Sequence, residues 1–136
     1  LDQVAYRWKT QFNENSKVMS SSAVMPEIGH NEFEAFSFLK KRAHTTSAVI
    51  LRESQESLDT KVRLNALRAK LENNSVKIFV VKGRGKSLLE RMLYLVYYGD
   101  FVSVYLALLS GSDPEAVQEI QWLKNVVRNK TSFSKN

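Results

Sequence analysis

Apolar residues recur at every fourth position at the start of the chain. Val4, Trp8 and Phe12 fall on one face, and this spacing predicts an amphipathic helix over residues 3–18. A second helix is expected over 30–42, with Phe33, Phe36, Leu39 and Lys40 continuing one face. Ala48-Val49-Ile50-Leu51 is a short apolar run of the kind that forms a buried strand, and Val76-Lys77-Ile78-Phe79-Val80-Val81 is the clearest strand of the chain. Between them, residues 57–72 carry Leu58, Val62, Leu64, Leu67 and Leu71 among charges, the pattern of a surface helix. Residues 87–109 are apolar nearly all round, with an expected break at Gly99-Asp100; such a segment is buried on most sides, within the domain or against a partner. Glu90, Arg91 and Asp100 lie inside it, so it is not read as a membrane span. Gly111 suits a helix C-terminus. Asp113 followed by Pro114 suits an N-cap with proline at the first helical position, which predicts a last helix over 114–129. One domain is expected over residues 1–129, with 130–136 as a loose tail.

Strand, helix, strand, helix is the order of a parallel α/β sheet. Parallel sheets are buried on both faces and normally have more than the two strands legible here; two alone leave open edges. The first residue is Leu1 rather than Met. Together these features lead to the expectation of a piece of a larger protein.

Composition narrows the chemistry. The chain of 136 residues is 43% hydrophobic and 25% charged, as soluble globular domains are. It has no cysteine, which excludes disulfides and thiolate metal sites, and only two histidines, which exclude a His-rich metal cluster. The formal charge is +6, but the 20 Lys and Arg are scattered, and the densest run, Leu39-Lys40-Lys41-Arg42, lacks interleaved aromatics. Nucleic acid is therefore not the expected partner, whereas a small phosphorylated substrate would use the same positive field. No segment at the N-terminus has the order of a signal peptide, and a cytoplasmic location is expected.

Four stretches carry candidate chemistry. In Gln11-Phe12-Asn13-Glu14-Asn15-Ser16-Lys17, poor helix formers surround one carboxylate, so helix stability does not account for them. Glu14 is either a proton-transfer group or a solvated surface residue paired with Arg7 or Lys17. His30, beside Asn31, is either an acid–base group or a capping imidazole. Lys124 lies on the edge of the Val117–Ile120–Val127 stripe, where a lysine can snorkel or reach into a cleft as a fixed cation. Gly83-Arg84-Gly85-Lys86-Ser87 has the end of a phosphate-binding loop, but position 80 is Val where that motif needs glycine; a tight turn with a helix start at Ser87 is the plainer reading. A single anion at that helix start remains open.

The run Tyr6-Arg7-Trp8-Lys9-Thr10-Gln11-Phe12-Asn13-Glu14-Asn15-Ser16-Lys17 closely resembles a segment of the archaeal-type bifunctional phosphoglucose/phosphomannose isomerases. So do Pro26-Glu27 with His30-Asn31-Glu32, the block Tyr98-Gly99-Asp100-Phe101-Val102-Ser103-Val104-Tyr105, and Asp113-Pro114 followed by Lys124. The resemblance implies a three-layer, flavodoxin-like α/β sugar-isomerase (SIS) domain with a parallel sheet, lacking its first strand. It implies an aldose–ketose isomerase acting on hexose 6-phosphates through a cis-enediol, with no metal or organic cofactor. By the same resemblance Glu14 matches the base between C2 and C1, and His30 matches a ring-opening histidine supplied across a homodimer. Lys124 matches a lysine that assists ring opening, and Gln11, Asn13, Asn31 and Val117 border the substrate. The phosphate-binding loop and the enediolate-stabilising arginine of the family lie in its earlier domain, so an N-terminal sugar-isomerase half, covalent or separate, is the expected partner. Val117 stands where the family usually has a polar residue beside the sugar, which leaves the glucose or mannose preference open.

Overall fold

A computed structural model of the chain describes residues 1–133, the side chains of 130–133 aside. The elements run α1 (Asp2–Glu14), a 3-10 turn (Glu27–Gly29), α2 (Glu32–Ala35), a long 3-10 stretch (Phe36–Thr45), β1 (Ser47–Arg52), α3 (Leu58–Asn73), β2 (Lys77–Lys82), α4 (Leu88–Leu109) and α5 (Gln118–Phe133). The two strands pair in parallel from Ser47 opposite Lys77 to Arg52 opposite Lys82. Successive side chains leave a strand on opposite faces. Leu51 and Val81 accordingly join Val4, Trp8 and Leu95 in a core under α1 and α4, while Ala48 and Ile78 join Leu67, Leu71 and Val76 in a second core under α3. Helices thus cover both faces, as the expected three-layer α/β fold requires. The cover is incomplete: Val49, Phe79 and Val80 stay 37–48% exposed, and the sheet has two open edges.

The first helix ends at Glu14, four residues before the expected boundary, because Lys17 turns into the left-handed region at φ 58°. The expected helix over 30–42 splits. Asn31 caps a short α2 through Glu32 N–H, and the chain then tightens into a 3-10 stretch. The reason is in the spacing: Phe33, Phe36 and Leu39 recur every third residue, and a 3-10 helix aligns side chains at that interval, here over the α3 core. The last helix begins at Gln118 and not at Pro114. The Asp113 carboxylate accepts Glu115 N–H at 2.9 Å, closing a local turn that keeps residues 114–117 outside the helix. Helical backbone continues to Phe133, and residues 134–136 of the expected tail lie outside the described residues.

The apolar segment 87–109 is one unbroken helix. Its buried positions are Arg91, Leu95, Gly99, Ser103 and Ala107, one stripe at four-residue spacing. Gly99 and Ser103 on this face are small because α1 lies close against them. The indole Nε1 of Trp8 donates to Leu95 C=O at 2.8 Å, and the ring sits where a side chain at Gly99 would be. Arg7 adds a two-point ion pair to Asp100, at 2.7 and 3.0 Å. Gly99-Asp100 is therefore the docking place for α1 rather than a helix break. By length and composition α4 is apolar enough to cross a membrane, at a mean hydropathy of 1.6; in the fold its small-residue stripe is occupied by α1.

Candidate active site

The amide-rich end of α1 is a knot tied to α4. Asn15 Nδ2 donates to Gln11 Oε1 at 3.1 Å and to Ser103 Oγ at 2.8 Å, and Ser103 Oγ donates to Asp100 C=O at 2.7 Å. Ser16 is buried, its hydroxyl on Ser103 C=O at 2.7 Å. Asn13 Oδ1 accepts both the backbone N–H and the hydroxyl of Ser20, at 2.9 and 2.8 Å. These side chains compete with helical backbone, and here that competition ends the helix and folds the chain back along it.

Glu14 stands exposed at the tip of this knot. Its two expected cationic partners are engaged elsewhere: Arg7 holds Asp100, and Lys17 Nζ donates to the Glu14 carbonyl at 2.6 Å rather than to its carboxylate. Among the described residues the carboxylate takes no hydrogen bond or ion pair. Its backbone is fixed while its acid group is left available to a ligand.

His30 and Asn31 lie on the other side of the sheet, between Ile28 and Phe33, which pack on the α3 core. Asn31 is occupied as a cap: Oδ1 accepts Glu32 N–H at 2.6 Å and Nδ2 donates to Glu27 Oε1 at 3.1 Å. The His30 backbone N–H donates to Glu27 C=O at 2.9 Å, and its imidazole is exposed. Within the single chain, no hydrogen bond or ion pair among the described residues joins His30 to Glu14.

Val117 is nearer to the tip of α1. Lys17 Nζ makes a second bond, to Ala116 C=O at 2.7 Å, and so ties the Glu14 tip to the segment leading into α5. Val117 is 43% exposed and lines a shallow open depression with Gln118, Gln121, Trp122 and Asn125. Lys124 is exposed, and the apolar residues around it stay uncovered too, Trp122 at 64% and Leu123 at 55%. The single chain thus gathers Gln11, Asn13, Glu14 and the approach to Val117, and leaves His30 apart.

A family model described as "Bacterial phospho-glucose isomerase C-terminal SIS domain" matches residues 1–127. The chain belongs to this SIS-domain family. It is 36% identical over 125 residues to the bifunctional phosphoglucose/phosphomannose isomerase of Aquifex aeolicus, covering 92% of this chain and 39% of that protein. Proteins of the same name from Thermoplasma volcanium and Thermoplasma acidophilum are 33% and 34% identical, over 91% and 89% of this chain and 39% and 37% of theirs. The chain therefore spans about two fifths of the length of the curated relatives it matches.

Two features of this SIS domain escaped the sequence reading. The turn 83–87 offers no anion site, because the domain fills it itself: Ser87 Oγ caps Glu90 N–H at 3.2 Å and Glu90 Oε2 accepts Lys86 N–H at 2.6 Å. The Lys86 and Ser87 N–H groups hold the Glu90 carboxyl below its usual value. Next to it, the buried Arg91 pairs with Glu53 and donates to Lys86 C=O at 3.0 Å, joining the loops at the C-terminal ends of both strands. Open α/β sheets bind ligands at those strand ends. The four-residue stripe from Arg91 to Ala107 was the available signal for Arg91, masked by the apolar residues on every other face of α4. Among the described residues no group of three or more His, Asp and Glu could hold a metal ion.

Proposed function

We propose that this chain is the C-terminal part of an aldose–ketose isomerase that interconverts glucose 6-phosphate or mannose 6-phosphate with fructose 6-phosphate through a cis-enediol. The observation that carries this reading is Glu14: a backbone fixed by the α1–α4 knot, and a carboxylate that takes no hydrogen bond or ion pair among the described residues. A carboxylate so placed can take a proton from C2 and return it to C1. In this reading Lys124 and, from the neighbouring subunit, His30 act on ring opening. Gln11, Asn13, Asn31 and Val117 border the sugar. The chemistry needs no metal or organic cofactor, and cationic groups near the sugar oxygens stabilise the enediolate. The isolated chain is expected to be inactive, because binding energy from the remote phosphate is used at the reacting carbons only when an N-terminal sugar-isomerase half is present. The test is a coupled assay on both hexose 6-phosphates, with the 136-residue chain alone and with that half supplied. Turnover by the chain alone overturns the division of labour. Binding without turnover in the assembled protein favours the alternative, a non-catalytic sugar-phosphate-binding or assembly module of the same fold.

A homodimer is part of the same proposal, and α4 supports it. The helix turns Leu95, Gly99 and Ser103 to α1 and a row of large residues outward. Leu89, Leu93, Tyr97, Phe101 and Tyr105 follow one another at four-residue spacing and are 47–67% exposed, a continuous apolar ridge. A second copy presenting the same ridge makes a self-complementary contact. Phe101→Glu, which places a charge in the middle of the ridge, is expected to convert dimer to monomer in sedimentation analysis. A wild-type protein that already sediments as a monomer removes the dimer.

A further inference from the structure

Lys17 sits where a helix exit normally takes glycine. At φ 58° its Cβ crowds the following carbonyl, a conformation that non-glycine residues hold only when their surroundings impose it. Two observations show what imposes it. Residues 15 and 16 are fastened to Ser103 of α4, so the chain must reverse immediately afterwards. The Lys17 ammonium then closes a clasp, donating to Glu14 C=O at 2.6 Å and to Ala116 C=O at 2.7 Å. Both are short, charge-assisted bonds. Ending the helix requires only the first of them. The second crosses to a segment 99 residues away, and its acceptor is the residue immediately before Val117. A glycine at position 17 would relieve the backbone and grip nothing.

We propose that Lys17 is a positioning residue: its ammonium fixes the C-terminal tip of α1 against the segment carrying Val117, and so sets the distance between the Glu14 carboxylate and the side chain that borders the sugar at its epimeric carbon. This rests on the isomerase reading above. Glu14 ends α1 with a carboxylate that takes no hydrogen bond or ion pair among the described residues, and Val117 lies outside any helix, so local secondary structure does not fix the distance between them. The clasp is what relates them. A base displaced from its proton by a fraction of an ångström to an ångström loses rate without losing substrate binding.

The test uses the assembled isomerase with Lys17→Met, Lys17→Gly and Lys17→Arg. Lys17→Met removes the donors at similar length and is expected to lower kcat by about ten- to a hundredfold with little change in KM. It also shifts the ratio of mannose 6-phosphate to glucose 6-phosphate turnover, and Lys17→Arg restores most of both. Lys17→Gly is expected to keep or raise the melting temperature, because it removes the strained backbone, and yet to show the same loss of kcat. A merely structural lysine would move stability and activity together. Amide hydrogen exchange gives a readout that needs no turnover: residues 116–118 exchange faster in Lys17→Met than in the wild type. Unchanged exchange there overturns the clasp, and faster exchange with unchanged kcat and epimer ratio overturns the positioning role. A wild-type protein that turns over neither sugar overturns the isomerase reading and the positioning role with it, and exchange at 116–118 then decides the clasp alone.

Discussion

If the proposed isomerase function holds, Glu14→Gln in the assembled protein is expected to lower kcat on both hexose 6-phosphates by about 10²- to 10⁴-fold, the range lost when a positioned acid–base group is removed. The substitution keeps the shape of the side chain and removes its ability to accept a proton. It should leave folding untouched, because the carboxylate takes no hydrogen bond or ion pair among the described residues while the knot around it uses Asn13, Asn15 and Ser16. The melting temperature of the variant should therefore match the wild type, and substrate affinity should change far less than turnover. Binding and chemistry are separated further by solvent isotope exchange: the wild type should exchange the C2 proton of the substrate with deuterium oxide, and Glu14→Gln should not. A variant that retains most of its turnover removes Glu14 from the reaction, whatever the resemblance implies.

Much of this architecture is legible in the residues, and what is not has identifiable causes. The Val4–Trp8–Phe12 stripe forms the α1 face of the first core, and both strands stand where their apolar runs place them. The helix ends were misplaced wherever a side chain competes with the backbone. The Asp113 turn delays α5 to Gln118, and the Asn15–Ser16–Lys17 knot ends α1 at Glu14. In α4, hydropathy could not tell inside from outside, because the buried face holds Gly99, Ser103 and Ala107 while Tyr97, Phe101 and Tyr105 face outward. The candidate site was legible in part for a similar reason. Poor helix formers around Glu14 break local consistency, and such breaks collect at functional or tightly packed places. The same signal could not say that Asn15 and Ser16 serve the packing on α4 while the Glu14 carboxylate takes no hydrogen bond or ion pair among the described residues. For His30 the sequence gives a neighbour along the chain, Asn31, whereas its place across the sheet from α1 is set by tertiary packing that no local pattern encodes.

Gly99→Ala is the second substitution with a large expected effect, and its sign is the informative part. In an exposed helix interior this change stabilises by about 1 kcal/mol, since alanine loses less backbone freedom on folding. Here a Cβ on residue 99 would stand 2.3 Å from Trp8 Nε1 and 2.4 Å from Cε2, with a third ring atom at 2.7 Å. The obstacle is a buried indole packed between Phe12 and Tyr98, with ring centroids 5.8 and 6.2 Å away, so it cannot swing aside as the end of a flexible chain could. Relief has to come from moving α1 outward. That costs about 1–3 kcal/mol of overpacking and, once the Trp8–Leu95 hydrogen bond is stretched, about 1–3 kcal/mol more for an unsatisfied buried donor. Against the helix-propensity gain, a net loss of about 1–5 kcal/mol is expected, measured by chemical denaturation of the assembled protein. Because α1 carries Glu14 at its far end and its Arg7–Asp100 and Asn15–Ser103 bonds are made in register with Trp8, the same displacement should lower turnover as well. Trp8→Phe gives the second half of the test. The smaller ring makes room for a Cβ at 99, so Gly99→Ala should be less destabilising in that background than in the wild type; equal costs in the two backgrounds would show that the clash with Trp8 is not what glycine at 99 is there to avoid.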